Sequence, residues 1–543
     1  METKLHSFQS VVLLLFVSGI LLLSGLDKVD VNIMEARNFI SAREMVQNQE
    51  YLLTTLNNQP RYEKPPLPTW LTAISGTVFG FDSLFAMRLP VVAITMSLVF
   101  MFYYHSKLMG LNEKHALNNG LILITSFYIF FAGRDNQWDM YTHSFMMASI
   151  FFLWKLFQED AKQIQNALCA GLFLGFSILS KGPVSFYALF LPFLISYGVV
   201  YRIPFRRKWF YFVGMLFSGL VIGASWYIYV RLKDTEAFNA IASRETANWS
   251  SYEVKPFYYY WSFFVQSGLW TIPSLLALVY PYLKSRVSNL KAYQFSLLWT
   301  LLALIFLSVI PEKKVRYLVP VLIPLALTTG FYIEYLIRSF KDNVQNWERN
   351  IVYFFSVIIA LVGFVYPFAL IFILKEKIMA HLFVVIFSSL LMIGCALFII
   401  NGLMQKNFSK VFYSMIALFT VVVFALALLS KELVYNPDYA SASKALSIEK
   451  QYNVKTYSLS AVAPEVIWDF GKPIPVLEPK GNQVLLPVEK QFGLLVDMKD
   501  SASITKQFQQ YDIQKLYRIN LNYAKGIKDR LVKDYYLFSK VSE

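Results

Sequence analysis

The stretch IVYFFSVIIALVGFVYPFALIFIL, residues 351–374, carries no charged side chain. It is long enough for the roughly twenty residues that a helix needs to cross a hydrocarbon core of about 30 Å. Lipid offers a backbone no water to bond, so N–H and C=O groups must be satisfied within a helix or a closed barrel, and this segment reads as a spanning helix. Blocks of the same kind recur near 8–26, 84–104, 115–132, 141–158, 164–179, 183–200, 209–230, 259–282, 292–310, 316–338, 380–402 and 410–430. Together they predict a mainly α, polytopic membrane protein with about 13 transmembrane helices. A Lys-Gly-Pro interruption at 181–183 separates two of the blocks. Composition agrees, with 56% hydrophobic and 16% charged residues and a mean hydropathy of +0.46. Soluble domains have about 45–50% apolar and about 25% charged residues. The N-terminal block lacks a small-x-small cleavage site before Asp27 and reads as a retained first helix.

A net charge of +15 could suggest nucleic acid, but the basic residues sit in short clusters between apolar blocks, at 202–208, 284–291 and 338–341. That is the pattern of cytoplasmic membrane loops, and no nucleic-acid partner is expected. The rule places loops 105–114, 201–208, 283–291, 339–350 and 403–410 in the cytoplasm with the N-terminus. Loops 27–83, 133–140, 180–182, 231–258 and 311–315, and the tail from Lys431, then face outward. Lys313, Lys314 and Arg316 run against this bias, and a cationic exception on the outer side points to a bound anion. The two cysteines, Cys169 and Cys395, lie inside apolar segments and read as small core residues.

After Leu429 the hydropathy falls. Short β-rich runs alternate with polar helical stretches over 454–459, 465–470, 474–477, 492–496, 503–511 and 513–520, which predicts a small C-terminal α/β soluble domain. The expected division is a transmembrane domain at 1–430, carrying the outward loops, and an extracytoplasmic domain at 431–543. The latter shows no nucleotide-binding glycine loop, zinc spacing or nucleophile elbow, so a scaffold or docking role is expected of it.

The chemistry-bearing residues fall in the outward loops. Met34-Glu35-Ala36-Arg37-Asn38-Phe39-Ile40-Ser41-Ala42-Arg43-Glu44-Met45 has helical spacing, with Arg37 and Glu44 two turns apart. A helix lying at the membrane surface with solvated charges is the plain alternative. Further on comes Arg61-Tyr62-Glu63-Lys64-Pro65-Pro66-Leu67-Pro68-Thr69-Trp70. Proline fixes its own φ and restricts the residue before it, so Glu63 and Lys64 would be held in place as a site requires. The same prolines could simply cap the next segment.

These two elements are followed by Arg88-Leu89-Pro90, Gly133-Arg134-Asp135-Asn136-Gln137-Trp138-Asp139, Ser180-Lys181-Gly182-Pro183-Val184, Pro256-Phe257-Tyr258-Tyr259-Tyr260 and Lys313-Lys314-Val315-Arg316-Tyr317-Leu318-Val319-Pro320. In this order the pattern resembles bacterial polyprenyl-phosphate-sugar-dependent glycosyltransferases of the aminoarabinose-transferase and protein-O-mannosyltransferase type, over roughly the first 330 residues. The resemblance implies the C-type glycosyltransferase fold and a polyprenyl-phosphate-linked sugar donor. It also implies a lipid, glycan or protein acceptor and a place in the bacterial cytoplasmic membrane with the C-terminal domain outside. One departure matters. The family opens its first motif with adjacent Asp-Glu, and Met34 stands at the Asp position here. Either Glu35 supplies the catalytic carboxylate, or Asp135 or Asp139 does, or the chain is an inactive relative.

Sugar transfer from a phosphate carrier needs a stabilised leaving group and an acceptor hydroxyl that loses its proton as it attacks. Lys64, Lys313, Lys314 and Arg316, with Arg37 and Arg43, are candidate phosphate ligands, and interfacial anchoring is the alternative for each. Glu35, Asp135 and Asp139 are candidate bases; one base without a covalent intermediate implies inversion. Glu63, Tyr62 and Tyr317 are candidate positioning residues. The aminoarabinose branch implies a divalent metal ion, held by the Glu of Glu-Lys-Pro-Pro and a His three residues before the later Pro-Phe. The corresponding residues are Glu63 and Glu253, a pair that would favour an oxygen-preferring ion. His143, just inside an apolar block, is expected to make a structural hydrogen bond. Two rivals stand beside the transferase. A lipid-linked sugar transporter or flippase would need mid-membrane ionisable groups and inverted repeats. A catalytically inactive envelope-assembly scaffold would need only the helices and the tail.

Overall fold

Helices follow from the apolar blocks wherever helical period, length and the absence of breakers coincide. The computed structural model describes residues 2–540 apart from 343, 434–435, 478, 481–482, 502–503, 505–507 and 525–527. Among the described residues eight helices are long and apolar enough to cross a membrane: Leu84–Leu108, Gln163–Lys181, Phe205–Lys233, Leu290–Val309, Val315–Ser339, Asn346–Leu374, Lys377–Met404 and Phe408–Leu433. Ser7–Leu23 and Phe186–Val200 are shorter apolar helices, and Trp138–Gln158 is a further helix of 21 residues. The Lys-Gly-Pro interruption ends one helix at Lys181, where Gly182 takes φ +77°.

Two predicted spans differ. Block 115–132 breaks at Ser126, whose extended backbone separates Glu113–Thr125 from Phe127–Ala132. Block 259–282 is not one helix. It is two 3₁₀ turns, Phe257–Tyr260 and Phe263–Ser267, and two short helices, Thr271–Ala277 and Tyr280–Leu283. Gly268 at φ +60° and prolines at 273 and 281 interrupt the helical period that hydropathy alone suggests.

The chain separates into two units, residues 1–26, 62–71 and 84–429 in one and 27–61, 72–83 and 430–543 in the other. In the first, helices Gln163–Lys181 and Phe205–Lys233 pack through reciprocal small-residue motifs, Gly171-x3-Gly175 against Gly219-x3-Gly223. A Cβ on Gly175 would lie 2.6 Å from Ile222, one on Gly219 would lie 2.6 Å from Leu174, and one on Gly223 would lie 2.7 Å from Ile178. Lipid provides no hydrophobic drive between helices, so this close backbone approach supplies the contact energy. It also fixes where the helix ends, at Lys181.

The second unit is discontinuous. Helix Ile33–Gln47, predicted from spacing, does not lie free on a surface. Its Ile40 is buried in one core with Ala442, Val466, Ile467, Phe470 and Leu495, and Phe39 packs on Trp468 at 5.1 Å. A four-stranded sheet follows the order Thr456–Ser458, Gln491–Asp497, Val532–Lys540, Tyr511–Asn520, with the first pair parallel and the others antiparallel. The strand Val532–Lys540 escapes the sequence reading because it lacks polar alternation. It is central and buried along most of its length.

Asp534 sits in that strand, fully buried, accepting from Arg518 Nε (2.7 Å) and Ser501 Oγ (2.6 Å) and paired with Lys515 (2.8 Å). Burial opposes its charge, but Arg518, Lys515 and Ser501 hold the carboxyl down at about 2. A depressed carboxyl stabilises the fold above its unfolded pKa, and that contribution is lost as pH falls from 3.8 toward about 2. Hydrogen-exchange protection of the Val532–Lys540 amides in the full chain, corrected for intrinsic exchange, is expected to be constant from pH 7 to pH 5. It should fall steeply below about pH 4, and Asp534→Asn should remove that step.

Candidate active site

Asp139 stands in the first turn of helix Trp138–Gln158, where the helix dipole favours a carboxylate. Lys181 is the last residue of helix Gln163–Lys181, where the dipole favours a cation. The two form an ion pair with side chains 4% and 8% exposed. The Lys181 ammonium lies 4.7 Å over the Tyr317 ring. Arg316 and Tyr317 come from the 3₁₀ turn Val315–Leu318 that opens the next spanning helix. The charges of Lys181 and Arg316, from segments far apart in sequence, both act on the Asp139 carboxylate, and the charge of Lys64 acts on Lys181. Burial pushes the Asp139 carboxyl up, but Lys181 and Arg316 outweigh it and hold Asp139 below the usual aspartate range. The Arg316 Nε is buried and has no hydrogen-bond partner among the described residues.

The Tyr-Glu-Lys-Pro-Pro element meets the long segment 231–258, which is helical over Thr235–Ser251. Tyr62 donates its hydroxyl to Asp234 at 2.8 Å. Glu63 accepts from Arg244 at 2.6 Å, and Lys64 donates to Glu245 at 3.2 Å. Consecutive residues on each side thus make two ion pairs of opposite polarity.

Segment 310–317 closes against 253–260. Lys255 N donates to Pro311 O (3.2 Å), Lys313 N donates to Glu253 O (3.1 Å), and Tyr260 OH bridges both backbone groups of Lys314. The buried Lys313 ammonium donates to the carbonyls of Ile310 (2.5 Å) and Lys255 (3.2 Å) and ties these two segments together. Lys314 pairs with Glu312 at 2.5 Å, and Tyr317 OH donates to the same carboxylate at 3.1 Å.

Glu35, Arg37 and Arg43 belong to the second unit. The Arg43 guanidinium donates to Ile467 O (3.3 Å) and Trp468 O (3.4 Å) and stacks 5.2 Å over the Trp468 ring, satisfying carbonyls near the end of helix Pro464–Phe470. Glu35 is buried in the first turn of its helix. Asn32 caps the amides of Met34 and Glu35 and reaches the Glu35 carboxylate at 3.4 Å. Arg37 Nη1 lies 3.9 Å from the sulfur of Met34. Asp135 is half-buried, accepts from the Gln137 amide, and acts with Asp139 and Arg316 on the Tyr128 hydroxyl.

The sequence motifs do not single out Lys181 for the site, although an ionisable residue ending an apolar helix is itself a signal. Arg134 was missed too. It donates to Leu21 O (2.6 Å) and Ser24 O (2.5 Å), closing the end of the first helix, and burial followed by Arg88 lowers its pKa to about 10. His143 makes the structural hydrogen bond expected of it, to Ser185 at 3.0 Å. The residues expected to hold a divalent ion each have a cationic partner. Glu63 faces Arg244, Glu253 pairs with Lys255 at 3.4 Å, and no group of three or more potential ligands occurs among the described residues.

Residues 63–229 match the family model of dolichyl-phosphate-mannose-protein mannosyltransferases. Among curated proteins, an undecaprenyl phosphate-alpha-4-amino-4-deoxy-L-arabinose arabinosyl transferase of Photorhabdus laumondii is 25% identical over 54% of this chain and 53% of its own. One from Proteus mirabilis is 27% identical over 54% of each. The chain therefore spans about half the length of these relatives. Two crystal structures of ArnT from Cupriavidus metallidurans superpose far more widely. The apo form has a TM-score of 0.70 at 17% identity, covering 97% of both chains, and the form bound to undecaprenyl phosphate has 0.69 at 16% over 98% of both. By fold along nearly its whole length, and by sequence in its first half, this chain is similar to the aminoarabinose transferases and has their C-type glycosyltransferase fold.

Proposed function

We propose that the protein is an inverting membrane glycosyltransferase. It moves a sugar from a polyprenyl-phosphate carrier to an envelope acceptor, a lipid A-like lipid, a protein or a glycan, on the outer face of the bacterial cytoplasmic membrane. In this reading the N-terminus is cytoplasmic and residues 431–543 are extracytoplasmic. The observation that carries the proposal is the buried Lys181–Asp139 ion pair beside Tyr317 and under the charge of Arg316, with the buried Arg316 Nε lacking a partner among the described residues. Such a cluster suits a phosphate at a membrane boundary, where charge-assisted hydrogen bonds are strong. The acceptor oxygen attacks the anomeric carbon, the bond from that carbon to the phosphate oxygen breaks, and the carrier phosphate leaves with the electron pair. Lys64 and Arg316 stabilise the charge that develops on it. Asp139 is held ionised by Lys181 and Arg316, which makes it a weak base and suits it to orienting those cations. Asp135, half-buried beside the same Tyr128 and Arg316, takes the acceptor proton. This reading derives no step from a metal ion.

Purified protein in lipid, given undecaprenyl phosphate-linked aminoarabinose and an envelope lipid acceptor, is expected to release free undecaprenyl phosphate and to label the acceptor. Transport without release would refute the transferase. Asp135→Asn is expected to lower turnover by about 10²–10⁴-fold with KM little changed, the range for loss of a general base. Glu35→Gln should stay within a few fold of wild type, and the opposite ranking would move the base to Glu35.

A further inference from the structure

We infer that Glu245 is the resident counter-ion of Lys64, which the phosphate of the sugar carrier replaces on binding, so that Glu245 sets the affinity for the donor. The inference rests on the proposed reading of Lys64 as a phosphate ligand. The charge of Lys64 acts on Lys181, the partner of Asp139, and the Lys64 ammonium donates to Glu245 Oε2 at 3.2 Å. Two carboxylates therefore serve the cluster, in very different settings. Asp139 is 4% exposed and locked to a Lys181 that is equally enclosed. Glu245 is 35% exposed, on a helix whose outer surface meets solvent, and its Lys64 partner is 24% exposed. Ion pairs this open are weak, because water and salt screen them and long side chains must be ordered to make them. A phosphate brings more charge and more acceptor oxygens to the same ammonium. Asp139 stays; Glu245 is the group that exchanges.

The neighbouring pair explains how the exchange can occur without disordering the element. Glu63 is held separately by Arg244 at 2.6 Å, and Tyr62 by Asp234 at 2.8 Å. Loss of the Lys64–Glu245 contact leaves both of these ties between residues 62–63 and the segment 234–251. Pro65 and Pro66 restrict the backbone after Lys64, so its ammonium keeps its place while its partner changes.

The test is binding of undecaprenyl phosphate to the full-length protein in nanodiscs, which needs no turnover, compared with donor KM and kcat. Glu245→Gln is expected to bind about 3–10-fold tighter and to lower donor KM by the same factor with kcat near wild type. Glu236→Gln, an equal charge change at an exposed position on the same helix, should leave binding unchanged. In a Lys64→Ala background Glu245→Gln should have no effect. Unchanged binding in Glu245→Gln, an equal gain in Glu236→Gln, or a gain that persists without Lys64 would each overturn the inference. Failure of every form, wild type included, to bind undecaprenyl phosphate would overturn the proposed function and this inference with it.

Discussion

Lys181→Met is expected to abolish sugar transfer and to destabilise the protein by about 3–5 kcal/mol, the cost of removing one partner from a buried ion pair. Asp139 would be left as a carboxylate 4% exposed, facing Arg316 without its nearest cation. Adding Asp139→Asn should recover most of the lost stability, because two neutral side chains of similar size need no charge compensation there. It should recover none of the activity, since the cation is still missing. Thermal unfolding in detergent, read beside release of undecaprenyl phosphate, separates the two effects. A double variant as unstable as Lys181→Met alone would mean that the pair is not what holds the Trp138 and Lys181 helix ends together.

Gly175→Val should be a strongly damaging change outside the site. Its first added carbon would fall 2.6 Å from Ile222 and 3.2 Å from the backbone oxygen of Gly219. A side chain can swing away, but a carbonyl within a helix cannot, so the helices must separate. Overpacking costs about 1–3 kcal/mol in general, and the upper part of that range is expected here. Separation also shifts Lys181, so activity should fall further than stability. Gly214→Val supplies the control. It lies on the facing helix with nothing within 4 Å of the added carbon, and it should be close to neutral.

Much of the molecule is legible in its sequence because lipid imposes simple rules on composition. The apolar blocks mark most of the helices, and the cations at 313–316 mark the segment that brings Arg316 to Asp139. The chain does not advertise what depends on partners far away. Arg43 reads as a surface cation, yet its acceptors are the carbonyls of Ile467 and Trp468. Lys313 and Arg316 look alike in sequence, yet one bonds carbonyls and the other keeps a buried Nε without a partner among the described residues. Lys64 and Glu63 read as one rigid element, which they are, but nothing in their spacing reveals Arg244 and Glu245 as their counter-ions. The fragmented 257–283 region fails for another reason. Hydropathy sees its apolar content and not the cumulative effect of one glycine and two prolines on helical period.

The discontinuity of the second unit bears on how the protein is made. Helix Ile33–Gln47 emerges from the ribosome long before the rest of its unit, with Phe39 and Ile40 committed to a core whose other walls, Val466, Phe470, Leu495 and Tyr535, are translated much later. Domains generally complete folding only when all of their chain is available. Throughout synthesis this segment must therefore wait with its apolar face unpartnered within its own unit, and any product that stops short of the strand Val532–Lys540 never finishes it. Quality-control proteases that recognise exposed apolar segments would thus distinguish finished from truncated chains at a point near the N-terminus, far in sequence from the defect itself.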